Sequence, residues 1–270
     1  MTATHRAAPI NGSSRTKEEL LSTISASRLG TWLSCRMKFY FRYLAGIPKK
    51  PSPAMRVGTI IHAVLQQWNL ARWRKAPLQD DMVKTVFDHA WANAEKEEAV
   101  NWQGEEEETK SGALNLIEAY LKQTTIPVEE RPEGVEVSVE RDLGKFGLPK
   151  LVGIIDLVRQ GGRIVDFKTT GRTPDPEMVL HTTELQTTMY SMLYREATDR
   201  KESGIELHHL VRLKTPKIII TEAGPATPRQ HDKLLHLIGS YVRGVEFEDF
   251  TPAPGLQCAG CEFFNECRRQ

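Results

Sequence analysis

A chain of 270 residues with 40% hydrophobic and 26% charged residues has the composition of a soluble globular protein able to bury a sizeable core. No apolar run approaches the roughly 18 residues that span a bilayer, and no apolar stretch near the N-terminus suits a secretory signal. The net charge of +1 excludes a uniformly basic or acidic protein, yet the charges are segregated. Leu20–Gln79 holds ten Lys or Arg and no acid, whereas Asp80–Glu140 holds sixteen acids against five bases. A positive face of this kind suits a polyanion such as DNA, or is answered by the acidic block across the fold.

Residues 1–23 begin polar and read as a disordered tail. Ser25 then caps a helix carrying Leu29, Trp32, Leu33, Arg36 and Tyr40 at helical spacing, which Gly46 and Pro48 end. Arg36, Lys38 and Arg42 alternate there with Phe39, Tyr40 and Tyr43. Such a surface binds phosphates and stacks bases, or its aromatics pack inward. A second helix is expected over 53–74, with Val57, Ile60, Ile61, Val64, Leu65 and Trp68 on its apolar face. Two more follow over 80–100 and 110–123, separated by a solvated loop at Gly104 and Glu105 to Glu108.

At Gly134 the period changes. Val135, Val137 and Val139 alternate with Glu136, Ser138 and Glu140, the pattern of a strand. Strands follow over 151–158 and 163–168, then a helix over 183–196, a strand over 206–213, a β-branched segment over 218–221 and a helix over 228–243. The fold class is therefore α/β. A mixed sheet of about four strands lies in a core over 134–245, behind a helical half over 25–125. All of 24–270 is expected to form one domain.

Asp166 and Lys168 are two apart on a strand, so both leave one face. A two-residue turn at Gly161-Gly162 would place Asp156 opposite Phe167, on the wrong face. A three-residue loop, Gln160-Gly161-Gly162, places Asp156 opposite Asp166, and glycine supplies the left-handed residue such loops need. Two carboxylates bind hard Mg²⁺ or Mn²⁺, and a lysine offsets charge on a phosphate. A surface salt bridge would use the same residues, but both carboxylates lie in apolar strands, where an unpaired charge is costly.

Cys258, Cys261 and Cys267 form C-x2-C-x5-C, and Cys35 lies more than two hundred residues upstream. In a reducing cytoplasm this spacing points to metal ligation, which requires the two ends of the chain to meet. Four thiolates suit Zn²⁺ as well as iron–sulfur.

Asp156 with Asp166-Phe167-Lys168 resembles the active site of the PD-(D/E)XK nuclease superfamily. The RecB-like branch, including the iron–sulfur CRISPR-associated exonucleases, is the most similar. Gly58-Thr59-Ile60-Ile61-His62 resembles its histidine-bearing helix, and Gln186-Thr187-Thr188-Met189-Tyr190 its Q-x-x-x-Y helix. The resemblance implies a restriction-endonuclease-like core of a mixed sheet flanked by helices. It implies Mg²⁺ or Mn²⁺ held by His62, Asp156, Asp166 and the Phe167 carbonyl, with Lys168, Gln186 and Tyr190 completing the site. It implies a [4Fe–4S] cluster at Cys35, Cys258, Cys261 and Cys267, with Zn²⁺ the alternative. The activity expected is cytoplasmic cleavage of single-stranded DNA or DNA ends, with Arg36, Lys38, Arg42 and Arg56 as DNA contacts. Partners in a repair or DNA-processing complex fit this reading. A structure-specific endonuclease and a non-catalytic redox-sensing DNA-binding protein are the rivals. Glu140 either binds a second ion or faces water. No ATPase motif is present, so coupled unwinding is not implied.

Overall fold

The computed structural model describes residues 14–97 and 100–270. Of the tail expected over 1–23, residues 1–13 lie outside the described residues, and the rest corrects the expectation. Thr16 and Glu19 cap one another reciprocally and start helix α1 (Lys17–Ser22), which runs into the short strand β1 (Thr23–Ile24). Leu20 and Ile24 are fully buried, and the Tyr241 hydroxyl donates to the Leu20 carbonyl. Two buried anchors and a capping box order a segment whose polar composition reads as loose.

The helix expected from Ser25 to Gly46 is interrupted. Cys35 has extended backbone (φ −168°, ψ 116°) between α2 (Ala26–Ser34) and α3 (Arg36–Phe39), and a π-helical turn covers Tyr40–Leu44. Helix α4 (Pro53–Trp73) starts on a Ser52 cap with proline in its first turn. It packs with α5 (Asp80–Glu97) and α6 (Glu106–Gln123) around Val57, Ile61, Phe87, Leu116 and Tyr120. Glu106 to Glu108, expected in a loop, form the first turn of α6, where negative charge opposes the positive helix end.

Among the described residues six strands make the sheet, rather than about four. After β1 come β2 (Gly134–Arg141), β3 (Lys150–Arg159), β4 (Arg163–Thr170), β5 (Gly204–Val211) and β6 (Lys217–Ala223). Helix α7 (Pro176–Thr198) crosses between β4 and β5, which are parallel, and α8 (Pro228–Glu246) follows β6. The Asp175 cap and Pro176 begin α7 seven residues before the expected Thr183. The short helix α9 (Phe264–Cys267) ends the chain's order of elements. Strand β2 covers one edge of β3, while β1 and β4 share the other edge at opposite ends. Leu157, Val165, Phe167 and Leu210 meet α4 to α6 on one side of the sheet. Leu151, Ile155, Ile164 and Ile205 meet helices including α7 and α8 on the other. No helix among the described residues is long and apolar enough to cross a membrane.

Close approach of α7 to β3 depends on Gly153. A Cβ there would sit 2.6 Å from Leu193 Cδ1, and Leu193 is itself buried. Gly153→Val is therefore expected to lower stability by about 1–3 kcal/mol through overpacking. It should also displace α7, whose residues reach the site described below. A denaturant melt paired with a turnover assay checks both effects.

Candidate active site

The β3–β4 loop is the three-residue Gln160-Gly161-Gly162, with Gly161 and Gly162 at φ 82° and 76°. Pairing of Arg159 with Arg163, Val158 with Ile164 and Leu157 with Val165 leaves Asp156 and Asp166 as the next residues in register. Beyond Leu157 and Val165 no backbone pair joins the two strands, and a side chain bridges them instead. The Phe167 N–H donates to Asp156 Oδ2 at 2.9 Å. The N–H and C=O of one strand residue point to the same edge, so the Phe167 carbonyl faces this opening too.

Asp166 is 2% exposed and is held from three directions. Gln186 Nε2 donates to Asp166 Oδ1 at 2.9 Å, and the Tyr190 hydroxyl donates to the same oxygen at 3.2 Å. Lys168 Nζ lies 2.7 Å from Asp166 Oδ2, close enough for ion pairing but off the axis of a good hydrogen bond. It donates instead to Gln186 Oε1 at 3.0 Å. Gln186 thus fixes the carboxylate and the ammonium relative to each other, one turn before Tyr190. Burial first, then Asp166 and Asp156, pushes the Tyr190 hydroxyl well above its ordinary range, so it stays a donor. Gln186 and Tyr190 position the Asp166–Lys168 pair.

His62 is half-buried on α4, with Nδ1 3.7 Å from Asp156 Oδ2 and its ring edge-on to Phe167 at 6.2 Å. A fourth group joins them that the sequence reading missed. Single ligand atoms of His62, Glu136 and Asp156 all lie within 4.8 Å of one another. Glu136 sits opposite Asp156 at a gap in the β2–β3 ladder, between the pairs Val135–Leu157 and Val137–Ile155. Its φ is 49°, a left-handed conformation that strains a non-glycine residue by roughly 1–3 kcal/mol. Side-chain alternation slips at the same place: Ile155 and Val158 both join the α7 side, while Leu157 joins the opposite core. In the sequence Glu136 looks like any outward residue of an alternating strand. Its signal is its register against Asp156. Glu140, the residue considered instead, is exposed and paired with Lys150 at 2.9 Å.

Three carboxylates crowded in a half-buried space repel one another. Burial and then Asp156 push the Glu136 carboxyl up to about 7. Burial and then Asp166 raise Asp156, against the lowering pull of His62, the Phe167 N–H and Lys168. A bound cation would relieve this crowding, and the donor set of carboxylates, one imidazole and one carbonyl fits Mg²⁺ or Mn²⁺. A carboxyl raised on folding holds its proton longer in the native state. Metal-free stability therefore falls as pH rises from about 4.5, the ordinary value, to about 7. Glu136→Gln is expected to raise the metal-free melting temperature at pH 8 by several degrees and change it little at pH 4. Melting curves in EDTA at the two pH values check this.

The four cysteines gather in a second region of the chain. Burial, and then the nearby sulfurs of Cys35, Cys261 and Cys258, raise the Cys267 thiol, so Cys35 lies in the neighbourhood of the other three although it is far off in sequence. All four are half-buried and unpaired. Arg36, Lys38 and Arg42, expected as DNA contacts, lie beside this region. Arg36 pairs with Asp249, Lys38 and Arg42 pair with Glu262, and Lys49 pairs with Glu266 at 2.6 Å. Acids of the C-terminal segment answer this part of the basic block, not those of residues 80–140. Phe263 is 1% exposed, with Phe41 and Lys49 packed on its ring. Phe39 is buried against Trp32, Tyr43 and Phe250. Arg56 is buried on α4.

Fold and site together define a class: a mixed sheet whose parted central strands present two carboxylates and a lysine to a histidine-bearing helix. The chain belongs to the PD-(D/E)XK nuclease superfamily, whose sequence profile matches residues 23–268. A protein from Eubacterium rectale named as a candidate exonuclease shares its fold, at 15% identity and a TM-score of 0.59. That alignment covers 96% of this chain and 93% of the other. The structure of SSO0001, 14% identical over 93% of this chain and 94% of its own, superposes loosely at a TM-score of 0.36. No curated protein matches the chain.

Proposed function

We propose that this chain is a Mg²⁺- or Mn²⁺-dependent deoxyribonuclease. In this reading it is a single domain acting on single-stranded DNA or DNA ends in the cytoplasm. The observation that carries the reading is the Asp166–Lys168 pair on β4, beside an Asp156 that accepts from the intervening Phe167 N–H and lies 3.7 Å from His62 Nδ1, where β3 and β4 part. His62, Asp156, Asp166 and the Phe167 carbonyl would hold the ion, with Glu136 beside them. A bound divalent ion supplies an activated water and neutralises charge on the phosphate. Lys168 is aimed by Gln186 to hold the attacking water or the phosphate oxygen. The name of the Eubacterium rectale protein agrees with an exonuclease.

The cysteine centre is proposed to hold a [4Fe–4S] cluster. Four thiolates suit either group, and the resemblance of the cysteine layout to the iron–sulfur branch supports the cluster. The test is anaerobic purification followed by incubation of 5′- and 3′-labelled single-stranded DNA with Mn²⁺. Brown protein with Mn²⁺-dependent release of label, abolished by EDTA, is expected. No cleavage of any DNA with either metal would contradict the reading.

A further inference from the structure

Resting on the reading of this site as a DNA nuclease, we infer that the strand leaves it over the paired loops after β4 and β5. Its phosphates there meet Arg172, Arg212, Lys214 and Lys217. Two observations carry this. The first is which bases are already engaged. Arg36, Lys38, Arg42 and Lys49 are committed to Asp249, Glu262 and Glu266 around the cysteine segment. Arg172, Arg212, Lys214 and Lys217 have no ion-pair partner among the described residues. Three of the four are exposed, and Arg212 is half-buried.

The second observation is place. β4 and β5 are parallel, so the loops leaving their C-terminal ends lie side by side. The Arg212 N–H donates to the Thr170 carbonyl at 2.8 Å, and the Arg172 N–H donates to Thr170 Oγ1 at 3.2 Å. Thr170 stands two residues past Lys168, about 7 Å along the strand. Both loops are therefore tied to one residue beside the catalytic lysine. The carboxyl ends of strands in an open α/β sheet are where ligands are received. No acid occurs from Leu207 to Thr221. The nearby acids Asp175 and Glu177 open α7, where Asp175 Oδ1 accepts from the Met178 N–H at 2.9 Å as a cap.

The test measures binding of the full chain to a fluorescent single-stranded oligodeoxynucleotide in EDTA, across a salt series. Each phosphate contact on a single strand contributes about 0.7 to the slope of log K against log salt. The variant Arg212→Ala/Lys214→Ala is expected to weaken binding roughly tenfold at low salt and reduce the slope by about 1.4. Arg212→Lys/Lys214→Arg keeps both charges and should restore the slope, which separates charge from misfolding. Lys38→Ala/Arg42→Ala should leave the slope unchanged. If the Arg212/Lys214 alanine variant binds with wild-type affinity and slope, the inference is wrong. Because no metal is present, a wild-type chain that binds but never cleaves when Mn²⁺ is added counts against the nuclease reading alone.

Discussion

Asp166→Asn is expected to lower DNA cleavage by roughly a thousandfold or more, because in the proposed reading positioning and electrostatics at a bound metal would supply the rate. The substitution keeps the shape of a side chain that is 2% exposed, so the fold should persist. The Asn carbonyl can still accept from Tyr190 and Gln186, which hold Asp166 Oδ1 now. What is lost is the charge that would bind the ion and pair with Lys168. Lys168→Ala should cost a similar factor by a different route. It leaves the buried Asp166 carboxylate without its cation and Gln186 Oε1 without its donor. Oligonucleotide affinity in EDTA should change little in either variant. A pre-steady-state assay with labelled DNA reads the rate, and near-wild-type cleavage by either variant would refute the assignment.

Cys35→Ala is expected to lower the melting temperature of the anaerobically purified protein by more than about 10 °C and to remove its visible absorbance. In the proposed cluster, ligation by Cys35 would tie the break between α2 and α3 to a segment more than two hundred residues away. Without it, that segment is left with the packing of Phe263 and with ion pairs from Arg36, Lys38, Arg42 and Lys49. Those pairs are partly exposed and screened by salt. The loss of stability should therefore deepen at high ionic strength. In the proposed reading Cys35 has no place in the chemistry, so any fall in cleavage should follow the unfolded fraction. A protein that is colourless, binds one zinc ion and melts as the wild type does without Cys35 would rule out the cluster.

Where the sequence was informative, the reason is local geometry. Strand parity and a three-residue glycine loop predict Asp156 opposite Asp166, and the observed register agrees as far as Leu157 and Val165, the adjacent pair. The spacing of Gln186 and Tyr190 puts both on one face of α7, although their partners, Asp166 and Lys168, follow from tertiary packing. Glu136 escaped notice because a left-handed residue inside a strand leaves no mark in a hydrophobic pattern. The break at Cys35 is hidden in the same way: helical spacing continues through it, while the backbone does not. The basic block misled for another reason. Several of its charges are answered by acids about two hundred residues later, a pairing that composition by block cannot show.

The most direct test is a crystal structure of the protein soaked with Mn²⁺, with the metal located by anomalous scattering. A peak is expected between His62, Asp156 and Asp166, with ligand distances of about 2.0–2.6 Å and the Phe167 carbonyl facing it. A peak elsewhere, with these side chains still bonded only to one another while the same crystals cleave DNA, would contradict the account.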